Sequence, residues 1–249
     1  MIAGTSLLSP MGMIWCLESG LALFLHILGI YLLLTAPLNV SSLLLAHLSI
    51  VEVVNIIYHW AVYIWTNWSG TYNEKEYSKA LFGVYPLFML YLVNSIILTV
   101  DRVLAVKLNL KYRLHVTKAR LLAVCIASWI ISGLFGWIMT LLTEFSWKWT
   151  VIVFGVGHIA AICVGYSYIF ITVRRRKRNL YKIGSATSMK SSLNYKIPFL
   201  LSMTCLCFVL VPDITYAVIQ NYDAVLAVLI WYLNNISDPL LYVFLSAKF

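Results

Sequence analysis

Apolar residues in this chain come in long runs, without the two-residue alternation of a half-buried strand. The run from Leu21 to Leu34 is representative. Seven such stretches predict bilayer-crossing helices at about 13–35, 41–65, 79–105, 119–142, 149–173, 196–219 and 224–246. Each approaches or exceeds the ~20 mostly apolar residues that a crossing helix needs. A closed barrel, the other spanning solution, requires short alternating strands, and the runs do not supply them. The pattern predicts an all-α membrane protein: one domain over 1–249, folded as a seven-transmembrane helix bundle with short loops. No internal repeat is visible, which weakens a transporter reading.

Composition agrees. Of 249 residues, 62% are hydrophobic and 11% charged, with a mean hydropathy of +0.88. A soluble domain carries about 25% charged residues, so an aqueous fold is excluded. The basic residues are unevenly placed. Lys107, Lys111, Arg113, Lys118 and Arg120 lie between the third and fourth stretches. Arg174, Arg175, Arg176, Lys177, Arg178, Lys182, Lys190 and Lys196 lie between the fifth and sixth. The other side has Lys75, Lys79 and Lys148, diluted by Glu74, Glu76, Glu144 and Asp223. Positive residues stay cytoplasmic, which predicts an outside N-terminus and a cytoplasmic C-terminus. The net charge of +9 then serves topology and anionic lipid of the bilayer, not nucleic acid.

No cleavable signal peptide is expected, because the first apolar run is long enough to span and no basic segment precedes it. Essentially no cytoplasmic tail is expected after the seventh stretch. Asn67, in Asn67-Trp68-Ser69, is an expected glycosylation acceptor in the outer loop after the second stretch. Asn39 and Asn235 begin sequons at the cytoplasmic face and inside the seventh stretch, so neither is expected to be modified. Cys16, Cys125, Cys163, Cys205 and Cys207 all fall in or beside spans, which leaves no extracellular disulfide framework. Residues 146–149 read as a very short outer loop. Pro86, Pro198, Pro212 and Pro239 sit inside predicted spans, where a proline removes a backbone donor and bends the helix or shapes its packing.

Specific motifs lie in register with this topology. Asp101-Arg102-Val103-Leu104-Ala105-Val106, followed by Leu110-Lys111-Tyr112, resembles the Asp-Arg-Tyr segment of rhodopsin-like (class A) G protein-coupled receptors. Trp129 falls at that family's single-tryptophan position in helix 4, and Pro212 at its helix 6 proline. Asp238-Pro239-Leu240-Leu241-Tyr242 is a variant of its Asn-Pro-x-x-Tyr motif. Leu45 to Glu52 is similar to the helix 2 segment, with Glu52 where the family usually has Asp. The stretch from Leu98 through Thr117 resembles the odorant-receptor branch. The departures describe a divergent member. The helix 1 Asn position is Ile30, the outer disulfide is missing, helix 5 lacks its proline, and the helix 6 tryptophan is replaced near Leu210. Tyr232 occupies the position of a retinal-binding Lys, and Val84 that of the Asp of amine receptors.

The resemblance implies roles for particular residues. Asp101, Arg102 and Val103, with Asp238, Pro239 and Tyr242, form the activation switch for G protein coupling. Asp101 holds Arg102 until activation frees it to reach Tyr168 or Tyr242; the plainer reading is an arginine snorkelling at the headgroups. Glu52, Asn234, Asn235 and Asp238 form a polar core that binds Na+, exchanges a proton, or simply tightens the bundle with neutral acids. Tyr91 would crowd a cation there. The expected ligand pocket comprises His59, Tyr63, Tyr85, Phe88, Asp213, Ile214, Trp231 and Tyr232, an aromatic set suited to a small apolar or weakly polar molecule. His26 and His158 read as hydrogen-bonded bundle residues; no spacing supports a zinc site, and no cofactor is implied. The basic run 174–178 fits an acidic G protein surface as well as anionic lipid.

No nucleophile–base constellation or phosphate loop is present, so catalysis has no support. The expected function is a chemosensory receptor of the plasma membrane, carrying binding of an extracellular small molecule to a heterotrimeric G protein. The alternative is a degenerate receptor without ligand, acting constitutively or as a dimer partner.

Overall fold

The computed structural model describes residues 10–35, 40–68, 84–108, 111–140, 144–182, 203–204, 207 and 233–241. Among the described residues there is no strand. Five long helices run in sequence: α1 (Pro10–Thr35), α2 (Val40–Trp68), α3 (Val84–Leu108), α4 (Lys118–Thr140) and α5 (Glu144–Lys182). A one-turn helix, Tyr112–His115, joins α3 to α4. Each long helix contains a window apolar and long enough to cross a bilayer. A helix satisfies its own backbone hydrogen bonds, which hydrocarbon would otherwise leave unmade. Residues 203–204 and 233–241 are also helical; the rest of the sixth and seventh predicted stretches lies outside the described residues.

Two boundaries differ from the sequence expectation in ways that matter. Residues 146–149 are helical and belong to α5, not to a loop. That helix has 39 residues, about 58 Å at 1.5 Å per residue, against a hydrocarbon core of ~30 Å. Its basic end therefore continues as helix through Arg174, Arg175 and Arg176. Pro86 sits in the first turn of α3, because the helix starts at Val84. Its missing N–H is one that no helical turn would use there, so it bends nothing. The α2 helix runs through Trp68, which places Asn67 in its last turn; the Asn67 side chain and Ser69 lie outside the described residues.

Helix α3 is the hub, packed against α2, α4 and α5, while α1 packs on α2. Two close approaches depend on glycine. A Cβ on Gly136 of α4 would sit 2.1 Å from Pro86 Cγ, and one on Gly165 of α5 would sit 2.6 Å from Thr99 Cγ2. Small residues let helices approach where lipid supplies no hydrophobic drive to associate. The exterior is apolar: Leu17, Phe24 and Tyr31 of α1 are 74%, 62% and 63% exposed. Ile131, Leu134 and Trp137 of α4, and Val164 and Phe170 of α5, are exposed as well. Beside its apolar clusters the interior also holds polar residues, with Ser19, His26, Ser49, Glu52, Asn55, Asn94, Ser95, Asn234, Asn235 and Asp238 all buried. Large apolar side chains on the outside and a share of polar ones within depart from a protein folded in water and fit a bundle whose solvent is lipid.

Candidate functional site: a polar layer and a latched arginine

The polar interior is organised around Asp238. Its Oδ1 accepts from Thr204 Oγ1 at 2.8 Å. Its Oδ2 accepts from Tyr91 Oη and from Asn234 Nδ2, each at 3.3 Å. Asn234 Nδ2 also donates to Tyr91 Oη at 2.8 Å. This closes a triangle between α3 and the segment 233–241, while Thr204 adds a third chain segment. Glu52 of α2 lies within Coulombic reach of Asp238. His26 of α1 approaches the backbone of Asn235. The four residues expected in the polar core, Glu52, Asn234, Asn235 and Asp238, are all 0% exposed. The sequence reading placed Tyr91 beside this core and missed His26 and Thr204 as its neighbours. Among the described residues no three His, Cys, Asp or Glu side chains group closely enough to hold a metal ion.

Flanking contacts lock the layer in place. Trp129 Nε1 donates to His47 Nε2 at 2.9 Å, tying α4 to α2. Ser95 Oγ and His158 Nε2 share a hydrogen bond of 2.8 Å between α3 and α5. His158 is thus a hydrogen-bonded bundle residue, as expected. Both ring nitrogens of His26, by contrast, are buried without a hydrogen bond of good geometry.

Ten residues beyond Tyr91 on α3, about 15 Å away along the axis, is the second constellation. Arg102 Nη2 donates to Asp101 Oδ2, and Tyr112 Oη donates to Asp101 Oδ1. Both charged residues are buried, at 5% and 7% exposure. Among the described residues theirs is the one ion pair. A snorkelling arginine would hold its head in water; this one is enclosed and held by its neighbour. Burial, and then the hydrogen bond to Asp101 and its negative charge, push the Tyr112 phenol above its ordinary value. The phenol therefore stays a donor. The turn carrying Tyr112 is fixed in turn. Thr117 Oγ1 accepts the Arg120 N–H at 3.3 Å, capping α4, and Arg120 Nη1 donates to the His115 carbonyl at 2.8 Å.

Val103 and Val106 pack against Ile162, Tyr166, Ile169 and Val173 of α5 and against Met203. Tyr168, expected as an Arg102 partner, is 41% exposed and on the outer side of α5, whereas Tyr166 is 7% exposed. The stripe 162, 166, 169, 173 follows helical spacing, and 168 falls off it. That spacing was the available signal. Pro239 is buried beside Asp238, and Tyr242 lies outside the described residues.

Of the residues expected in the pocket, the side chains of Tyr63, Phe88 and His59 are described. Tyr63 is packed against Trp15, with ring centroids 4.6 Å apart. Trp15 also meets Trp60 at 5.4 Å, and Trp60 Nε1 donates to Ser19 Oγ at 3.0 Å. Tyr63 therefore takes part in the α1–α2 contact. Phe88 packs on the main apolar cluster. His59 Nδ1 lies 2.8 Å from the Asn55 carbonyl oxygen. The Tyr85 side chain, Asp213, Ile214, Trp231 and Tyr232 lie outside the described residues. No family model matches the chain, and no curated protein matches it.

Proposed function

We propose that this chain is a rhodopsin-like G protein-coupled receptor of the plasma membrane. It crosses the bilayer seven times, with the amino end outside and the basic end of the bundle in the cytoplasm. An extracellular small molecule shifts a two-state equilibrium by its differential affinity for the two states, and the opened basic end recruits a heterotrimeric G protein. The observation that carries this reading is the Asp101–Arg102 pair, buried where α3 meets the basic end and latched by Tyr112 from the next turn of chain. A buried ion pair is a poor source of stability, because desolvation offsets most of its attraction. One held by a phenol from a neighbouring segment suits a latch. Val103, next to Arg102 on α3, packs in the cluster that contains Tyr166, which makes Tyr166 the proposed aromatic partner of a released Arg102 alongside the exposed Tyr168.

The test is Arg102→Ala in cells, with surface expression and G protein activation measured together. Coupling is expected to be lost while expression at the surface persists. Undiminished coupling would remove Arg102 from the mechanism. A chemical panel on the unaltered chain separates the two kinds of receptor. A compound that moves the signal supports ligand gating, and a high basal signal indifferent to every compound supports the constitutive form.

A further inference from the structure

Helix α1 carries two neighbouring seams, and they differ in what covers them. Trp15, Ser19, Ala22, His26, Gly29 and Leu33 follow one another at alternating steps of four and three residues, and all are buried. This seam meets α2 through the Trp15–Tyr63 ring contact and the Trp60–Ser19 hydrogen bond. One residue earlier at each step run Ile14, Glu18, Leu21, Leu25, Leu28 and Leu32. Ile14, Leu21 and Leu32 are exposed, while Glu18, Leu25 and Leu28 are half-buried. Apolar side chains at this spacing form the seam by which one helix receives another. The second seam is open to the surrounding lipid.

Glu18 is the exception within it. It lies inside the apolar window Gly12–Thr35, about 9 Å along the axis from Gly12. The Trp60–Ser19 bond sets a matching depth on α2, one and a half turns before Trp65, where the apolar window of that helix ends. Against a hydrocarbon core of ~30 Å, Glu18 sits in the third farthest from the basic end. Its Oε2 is enclosed without a hydrogen-bond partner. Among the described residues the lysines and arginines lie at the basic end, in 102–120 and 174–182, except Lys148. Lys148 precedes the apolar window of α5, which begins at Ile152. Among the described residues the one ion pair is Asp101–Arg102, so Glu18 has no cation from them. An acid at this depth is costly unless a partner meets it.

We propose that the Glu18 seam of α1 docks a membrane-spanning helix of a partner protein, one carrying a lysine or arginine about 9 Å inside its own end on this side of the bilayer. Charge complementarity selects the basic residue, and the leucines select a helix. A free amine or a lipid headgroup could pair with the carboxylate, but it would leave unused a seam about 27 Å long from Ile14 to Leu32. Lipid gives two apolar faces no reason to associate. The charge-assisted bond therefore supplies the affinity and fixes the depth of the partner, while the leucines supply the fit. A polar residue at one position of such a seam sets register and choice of partner. The proposal requires that α1 spans the bilayer, and it does not rest on G protein coupling.

The experiment places the full chain, labelled with an energy-transfer donor, in phosphatidylcholine vesicles with an acceptor-labelled synthetic helix. That helix has about 20 leucine and alanine residues and one lysine about 9 Å from an end. It is expected to associate about tenfold more tightly than the same helix with leucine in place of lysine, the size of one charge-assisted hydrogen bond. Glu18→Gln should abolish that preference, and Glu18→Asp should keep it. Leu21→Ala should weaken association, whereas Phe24→Ala, on another exposed stripe of α1, should not. A lysine moved to the middle of the synthetic helix should lose the preference. Equal affinity of the lysine and leucine helices overturns the proposal. So does a preference that survives Glu18→Gln, follows the lysine to the middle, or ignores Leu21→Ala. A preference that vanishes when phosphatidylethanolamine replaces phosphatidylcholine also overturns it, because the carboxylate then belongs to a lipid amine. Should Glu18→Gln not fold, the displaced lysine tested on the unaltered protein still decides. The assay needs neither agonist nor G protein, so its failure and a silent coupling assay are separate results.

Discussion

Tyr112 stands outside the apolar windows, yet it controls a charge inside one. Its phenol occupies one oxygen of Asp101 while Arg102 occupies the other. Tyr112→Phe keeps the ring and removes only the donor. Hydrogen bonds to charged groups contribute about 1.5–3 kcal/mol, and the half-buried setting of Tyr112 favours the lower figure. We expect a small loss of thermal stability and a raised basal signal, measured by melting the purified protein and by G protein activation without agonist. An unchanged basal signal would show that the latch does not restrain Arg102. The sign of the pH effect follows from burial. The phenol is pushed up in the folded protein, so its contribution is complete below the ordinary tyrosine value of about 10 and is lost as pH rises beyond it. The melting difference between the unaltered protein and Tyr112→Phe should be constant through neutral pH and shrink only in strongly alkaline buffer. Asp101-Arg102 was legible in the sequence as a motif. The hand that Tyr112 lends was not, because contact between residues 101 and 112 depends on the turn geometry between α3 and α4.

At the scale of elements, the two glycine contacts around α3 set helix spacing. Gly136→Ala would place a methyl 2.1 Å from Pro86, and Gly165→Ala one 2.6 Å from Thr99. The helices must separate or the neighbours must shift, and overpacking of this kind costs about 1–3 kcal/mol. Gly157 of α5 has nothing within 4 Å of its would-be Cβ. Gly157→Ala should gain up to about 1 kcal/mol, the usual helix preference for alanine. Melting temperatures of the three variants should therefore fall, fall and hold or rise; equal effects at all three sites would refute close packing as the reason. The five described spans were legible because lipid demands unbroken apolar length, which a sequence displays directly. Their faces were harder. In a helix apolar all round, hydrophobicity does not distinguish Tyr166 from Tyr168, and only the stripe of neighbours does. The ends of α5 were missed for a different reason. Residues 146–149 and the basic run are polar enough to read as loops, but nothing in them breaks a helix, so the helix continues past the bilayer at both ends.

For the whole molecule, the polar layer and the basic end are two consequences of one solvent. Serine and threonine side chains in the spans fold back on their own helices, as Ser19 Oγ does to the Trp15 carbonyl at 2.6 Å and Thr99 Oγ1 to the Ser95 carbonyl at 2.9 Å. Larger polar groups must find partners on other helices, which concentrates them in the layer that joins α1, α2, α3 and the segment 233–241. Charges without such partners are pushed to the ends. Lys107, Lys111, Lys118, Arg120, Arg174 and Arg175 lie at one end of the bundle, where each is exposed. Because positive residues resist translocation, this clustering predicts that the end stays in the cytoplasm. A glycosylation acceptor engineered before Pro10 should be modified in cells, and one engineered within 183–190 should not, as scored by mobility shift and its reversal with a glycosidase. The opposite pattern would place the Asp101–Arg102 latch on the outside, beyond reach of a cytoplasmic transducer, and the receptor reading would fail with it.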